Sequence, residues 1–236
     1  MITEQRRILK WSIFPRREEL RPGWRTVYLQ CPSRRWLPTH VRQSFTTYCL
    51  DLTISAEDQF RQYAQKLRQH IHRARRLGIR IERDQDPTAV IQLFRPIAQL
   101  KGLNPISEAT FASKPSLLIS RAVDPDHGVL AAHAYLLDPA TGRVKGEYNA
   151  SAFRRFPKGD PLRYRCGQAN SLLYHEDFRY FREQGFQVYD FGGYGQGSVA
   201  YFKDRFHGTV ERQYNYYPIW YFAWRQLRRR LRHIRL

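Results

Sequence analysis

A carboxylate and an ammonium flank a glycine run late in the chain. Asp190 and Lys203 stand in YDFGGYGQGSVAYFKDRFHG, from Tyr189 to Gly208. A carboxylate at a strand edge and an ammonium on the next element could face one cleft, the one orienting groups or accepting a proton and the other stabilising negative charge. The aromatic and β-branched run Phe186 to Phe191 reads as a buried strand that ends at Gly192-Gly193. A loop follows with Tyr194, Gly195, Gln196 and Gly197, then a short amphipathic segment, Val199 to Phe206, carrying Lys203 between aromatics. Glycines at a strand's carboxyl edge let the backbone splay and approach a ligand, and ligands of open α/β sheets sit outside such edges. The run lacks the third spacing of a dinucleotide fingerprint, and no Gly-Lys-Ser/Thr of a P-loop follows. A plain turn is the alternative, with Asp190 capping the glycine loop and Lys203 pairing with a surface acid such as Glu211.

Further candidates lie upstream. Tyr164-Arg165-Cys166-Gly167-Gln168-Ala169 is expected to open a helix that runs to Gln184, and free amides at a helix N-terminus bind pyrophosphate. Small residues there also let a helix pack close to a sheet. Tyr148 and Glu147 sit on an expected strand, whereas His133 and His175 read more readily as structural. There is no Gly-x-Ser-x-Gly elbow and no Cys-His pair at a known spacing, so the residues display no recognisable nucleophile for a covalent intermediate.

The elements that must position these groups alternate. Phe45 to Thr53 reads as a strand; Ser55 then caps a helix whose apolar face is Phe60, Tyr63, Ala64, Leu67, Ile71 and Ala74, ending at Gly78. Arg68, Arg73, Arg75 and Arg76 crowd its last turns, where cations complement the helix dipole; gripping phosphate is the second reading. Ile79 to Arg83 is a short strand, and Pro87 starts a helix to about Lys101. Leu117 to Val123, Val129 to Asp138 and Val144 to Phe153 are three strands, the last two joined by the hairpin loop Asp138-Pro-Ala-Thr-Gly142. This order predicts an α/β fold with a mixed, mostly antiparallel sheet flanked by helices. Before it, residues 1–44 are basic and broken by Pro15, Pro22, Pro32 and Pro38, with strands expected over Arg7 to Phe14 and Arg25 to Cys31. After it, residues 217–236 form a basic amphipathic helix: Trp220, Trp224, Leu227, Leu231 and Ile234 repeat at helical spacing among Arg225, Arg228, Arg229, Arg230, Arg232 and Arg235. Its aromatic start is expected to dock on its own domain, and its arginine end suits an anionic membrane interface.

The net charge is +19 and the isoelectric point about 10.3, a field that attracts phosphate-bearing partners. Cys31, Cys49 and Cys166 are scattered without a C-x-x-C, which fits a reducing compartment and excludes a zinc framework. No secretory leader and no apolar run of membrane-spanning length stands in the sequence. The expectation is a cytoplasmic protein without a metal, with peripheral attachment to the inner face of a membrane left open by the tail.

YDFGGY followed by FKDRFHG resembles the Fem-type acyltransferases of the GNAT fold, the group that holds the peptidoglycan-bridge aminoacyltransferases. Leu50 to Glu82, a strand with Asp-Leu and then a helix running into basic residues and a glycine, is similar to an earlier stretch of that family. The likeness spans about Phe45 to Arg225, and departs from the family at His207, where relatives show glycine. It implies a single GNAT-like domain over 45–216, without the tandem repeat of larger Fem proteins. It also implies transfer of an acyl or aminoacyl group from acyl-CoA or aminoacyl-tRNA to an amino group on a cell-envelope or small-molecule acceptor. By the resemblance Lys203 stabilises charge near the transferred group, Phe202 walls the acyl site, and Asp190 and Tyr148 are catalytic candidates. Arg165, Gly167, Gln168 and Ala169 partly match the acyl-CoA-binding pattern, with Tyr164 at its first position. The glycine loop is Gly192, Gly193, Tyr194 and Gly195. A different class remains: a non-catalytic GNAT-like module that binds nucleic acid or anionic membrane through its arginines.

Overall fold

The structure, a computed structural model, describes residues 1–6, 8–114 and 116–234; the side chains at 6, 229 and 232–234 lie outside the description. Arg7, at the start of one expected strand, Arg235, and the side chains of Arg229, Arg232 and Ile234 are therefore not placed. In chain order the strands are β1 (Ile2–Arg6), β2 (Leu9–Ile13), β3 (Thr26–Cys31), β4 (His40–Asp51), β5 (Arg80–Asp84), β6 (Leu117–Asp124), β7 (Gly128–Asp138), β8 (Arg143–Ser151), β9 (Val188–Gly193) and β10 (Thr209–Pro218). The α-helices are α1 (Ala56–Gln62), α2 (Gln65–Arg76), α3 (Thr88–Lys101), α4 (Glu108–Ala112), α5 (Pro161–Glu183), α6 (Ser198–Asp204) and α7 (Ile219–Ile234).

Two compact units divide the chain. One is built from its two ends, Met1–Thr47 and Glu211–Leu236. There β1 pairs antiparallel with β2, β2 parallel with β3, and β3 antiparallel with β10 through Tyr214↔Cys31 and Tyr216↔Tyr28. The other, Tyr48–Val210, holds the last four residues of β4 and the strand order β9-β8-β7-β6-β5, with α1 to α6 between the strands. β5 through β8 are antiparallel neighbours and β8 to β9 is parallel. The strand ending in the glycine run thus shares a sheet with the two strands of the expected meander, in the mixed, mostly antiparallel arrangement predicted.

The core of this unit is aromatic. Tyr174 and Phe178 of α5 pack on Tyr189 and Phe191 of β9 and on Phe206, with the Phe178–Tyr189 and Tyr189–Phe191 ring centroids each 4.7 Å apart. A buried polar network ties α5 to the sheet. Asp177 accepts from Ser120 Oγ and Tyr135 Oη at 2.6 Å each and from Arg83 Nε at 3.1 Å. Burial raises its carboxyl to about 6 despite these donors.

The helix expected from Ser55 to Gly78 is two. Ser55 caps α1 by accepting from the Asp58 amide, but Tyr63 and Ala64 are extended, with ψ of 143° and 141°. The Ala64 amide instead donates to Arg205 O at 2.9 Å, and Tyr63 is buried edge-on to Phe206. A tertiary hydrogen bond and an aromatic contact replace one helical turn.

Two glycines differ sharply in what surrounds them. A Cβ on Gly208 would collide with the Cys49 carbonyl oxygen and lie 2.8 Å from Tyr48 Cε1, whereas one on Gly167, inside α5, would meet nothing within 4 Å. Gly208→Ala is expected to cost about 1–3 kcal/mol, and Gly167→Ala to stabilise by about 0.5–1 kcal/mol. Thermal melts of the two variants beside the parent check both signs.

Candidate functional site

The site begins as an irregularity in β8. Its pairing with β7 runs Ala134↔Tyr148 and then Tyr135↔Gly146, so Glu147 is an extra residue, a β-bulge that bends the strand and re-aims its side chains. The parallel register with β9 covers Arg143↔Val188, Val144↔Tyr189 and Lys145↔Asp190; Glu147 to Ser151 of β8 and Phe191 to Gly193 of β9 lie beyond it. Gly146 leaves room at the divergence: a Cβ there would sit 2.6 Å from Tyr189 Oη and 2.9 Å from Asn149 Nδ2, so both side-chain ends would have to shift. Gly192 has φ +75°, in the left-handed region that side chains disfavour.

Lys203 reaches back from α6 to the end of β9. Its Nζ donates to the carbonyl oxygens of Phe191 at 3.0 Å, Gly192 at 3.1 Å and Gly193 at 2.7 Å. The residue is only 6% exposed, so it lies inside the structure rather than at a rim and does not pair with Glu211. Burial pushes its ammonium down to about 8 against the pull of Asp190. An ammonium has three N–H donors, and all three here meet carbonyls. Asp190, fully buried, accepts from the Gly192 amide at 2.7 Å and has Oδ2 3.8 Å from Arg143 Nη1. Tyr194 stacks on Tyr48 at 5.1 Å and donates to Asp204 Oδ1, while Gly193 and Gly195 are exposed. Phe202 is half-buried and packs on Tyr174 and Phe206. Lys203, Asp190, Phe202 and the glycine loop therefore gather at one end of β9.

Tyr148 stands on β8 just past the bulge, between Phe94 and Phe111 at 5.3 and 5.5 Å. Lys114 Nζ lies 5.8 Å from its ring centroid. Beside it, Glu147 accepts from Lys114 at 2.6 Å and Lys145 at 2.8 Å. Burial raises the Glu147 carboxyl, but the two ammonium groups outweigh it and hold the pKa at about 2. Glu147 was a secondary sequence candidate. Lys145 has a local signal, because residues two apart share a strand face. Lys114 has none, since it arrives from the segment before β6.

The donor candidates on α5 sit elsewhere. The helix starts at Pro161, not at Tyr164, and Asp160 caps it by accepting from the Leu162 amide at 2.8 Å. Gly167, Gln168 and Ala169 lie well inside the helix, Gln168 and Ala169 buried, so their amides belong to the helical ladder rather than to its free end. Pro161 extends the helix because proline is pre-set for a first turn. Arg165 is committed to the β6–β7 turn, with Nε 3.2 Å from Asp124 Oδ2 and Nη1 3.0 Å from His127 Nδ1. That guanidinium also lies 3.7 Å from Asp126 Oδ2, so it offsets both carboxylates of Asp124, Asp126 and His127, the one group with metal-ligand spacing among the described residues.

No family model and no curated protein matches the sequence. Solved structures match in fold. FemX is similar at a TM-score of 0.58 and 12% identity over 74% of this chain and 61% of that one. The C-terminal domain of a putative lysylphosphatidylglycerol synthetase from Agrobacterium fabrum gives 0.53 and 15%, over 81% of this chain and 66% of that one. L-PGS from Bacillus licheniformis gives 0.53 and 13%, over 81% and 67%. The chain thus shares the fold of FemX, the α/β arrangement its motifs lead one to expect, and it spans about three-fifths of that protein.

The buried Lys114–Glu147–Lys145 cluster sets a pH dependence. A carboxyl depressed from 4.5 to about 2 contributes stability that is full above pH about 4.5 and is lost as pH falls toward 2. Glu147→Gln is expected to cost about 3 kcal/mol at neutral pH, since one partner of a buried pair is removed. Denaturant unfolding of parent and variant from pH 7 to 3.5 checks it: the gap stays constant down to about 4.5 and narrows below.

Proposed function

We propose that the chain is a Fem-type acyltransferase that moves an acyl or aminoacyl group from an activated donor to an amino group on a cell-envelope or small-molecule acceptor. The observation that carries this reading is the divergence of β9 from β8 beyond the Glu147 bulge, with the β9 end held open by Lys203. A splayed parallel pair leaves room for an extended donor between the strand ends without unfolding either strand. Similarity in fold to FemX and to proteins named for lysylphosphatidylglycerol synthesis supports an envelope acceptor.

Between donors, the surroundings of α5 favour an aminoacyl ester on tRNA over a coenzyme A thioester. A pyrophosphate at the start of α5 would meet the Asp160 carboxylate, and Arg165 is already paired with Asp124. The +19 charge suits tRNA.

In this mechanism the attack is direct. Lys203 acts through the strand end it holds: its charge polarises the peptides whose carbonyls it binds, and the Gly193 and Tyr194 amides of the Gly192 and Gly193 peptides then favour negative charge developing on the acyl oxygen. Asp190 fixes the Gly192 amide, Tyr148 lines the β8 side, and Phe202 backs the acyl site. Deprotonating Lys203 removes the charge, so transfer falls as pH rises through about 8.

The test is single-turnover transfer from charged tRNA and from acyl-CoA, each offered to a panel of amine acceptors. Lys203→Met is expected to lower transfer about 100- to 1,000-fold and to abolish the alkaline limb of the pH–rate profile near 8. Full activity, or an unchanged alkaline limb, in folded Lys203→Met removes this lysine from the mechanism. Turnover with acyl-CoA alone reassigns the donor. Salt-sensitive RNA binding without transfer from either donor favours the non-catalytic module.

A further inference from the structure

The unit formed by the two chain ends carries a surface that its own packing does not explain. On α7, Tyr221 and Phe222 pack against the cluster of Leu9, Val27 and Tyr217. Trp220, Trp224, Leu227 and Leu231 stand at i, i+4, i+7 and i+11, a single stripe on a helix. They are 38%, 45%, 56% and 51% exposed. The expectation that the aromatic start docks therefore holds for Tyr221 and Phe222, and in part for the tryptophans, whose rings touch Tyr221 while staying more than a third exposed. Trp220 Nε1 donates to Trp24 O at 2.7 Å, which sets a further indole, 58% exposed, beside the head of the stripe.

The charge around the stripe has one sign. Residues 219–236 contain no Asp or Glu, and Arg225, Arg228 and Arg230 are exposed. Arg228 lies over the Trp224 ring at 4.8 Å and Arg225 over Tyr217 at 4.5 Å, so guanidinium groups flank the indoles. Indoles favour the boundary between acyl chains and headgroups, arginines pair with lipid phosphates, and an amphipathic helix in that position buries its apolar face to a depth of about 5–10 Å. No helix among the described residues is long and apolar enough to cross a membrane; this one has the composition to lie along it.

We propose that the outward stripe of α7, with Trp24, docks on the interface of an anionic phospholipid bilayer. Single-stranded RNA also stacks on aromatics among arginines, but Leu227 and Leu231 gain nothing from a base or a phosphate. Both are removed from water in an acyl layer. The proposal is independent of the transferase reading, because it rests on residues of the other unit.

The experiment uses the full chain with vesicles of phosphatidylcholine alone and of phosphatidylcholine mixed with phosphatidylglycerol, each with and without bromine-labelled acyl chains. The expected result is co-sedimentation with anionic vesicles at least about tenfold tighter than with neutral ones, with tryptophan emission quenched by the brominated lipid. Leu227→Gln combined with Leu231→Gln changes side chains that are 56% and 51% exposed, so its melt should match the parent while vesicle affinity drops about tenfold or more. Arg225→Gln combined with Arg228→Gln should reduce the preference for anionic lipid. Binding without bromolipid quenching, or a stripe variant that binds vesicles as the parent does, overturns the proposal. So does a stripe variant that converts a dimer to a monomer in sedimentation with vesicle binding unchanged, or one that loses tRNA affinity alone.

Discussion

One extra residue in β8 governs the unit that holds the candidate site. Glu147 interrupts the ladder with β7, and the parallel pairing with β9 lasts three rungs before the strands part. A parting of this kind leaves backbone groups that must be satisfied some other way. Lys203 supplies donors to three carbonyls of β9, and Asp190 supplies an acceptor to the Gly192 amide. The bulge residue itself points a carboxylate into a buried space, where Lys114 and Lys145 hold it.

The chain is strongly basic outside and carefully paired inside. Burying a charge is costly unless it is partnered, and the buried charges around the strand ends have their partners within hydrogen-bond reach. The same logic reads Arg165 as part of the fold at the β6–β7 turn, where it meets Asp124. Basic residues near a cleft are not all ligands; some are occupied holding acids that the fold has drawn in.

Much of this was legible in the residues. Tyr189 to Gly193 announced a buried strand ending in glycines, and the aromatic spacing of Phe202 and Phe206 announced their packing. The Val129–Asp138 and Val144–Phe153 runs announced neighbouring strands. What escaped depended on distant parts of the chain. The break at Tyr63–Ala64 requires the Arg205 carbonyl, and the burial of Lys203 requires three carbonyls that a pattern of side chains does not display. Lys114 reaches Glu147 only through tertiary folding. The start of α5 is Pro161 rather than Tyr164, a boundary that the Asp160-Pro161 pair carries, since Asp suits a cap and proline a first helical turn.

The discontinuity of the end-built unit has a temporal side. β3 finds its antiparallel partner in β10, and residues such as Gln30 and Gln213, which share a hydrogen bond, are 183 positions apart. At a synthesis rate of about 5–20 residues per second, β3 waits about 10–40 s on the ribosome for that partner. Residues 48–210 are contiguous and emerge complete in the meantime. During the wait one edge of β3, with the apolar side chains of Val27, Tyr28 and Leu29, is unpaired and open to other chains. The crowd of arginines and prolines on either side of β3 falls where a nascent chain has most need of charge repulsion and of residues that resist strand addition.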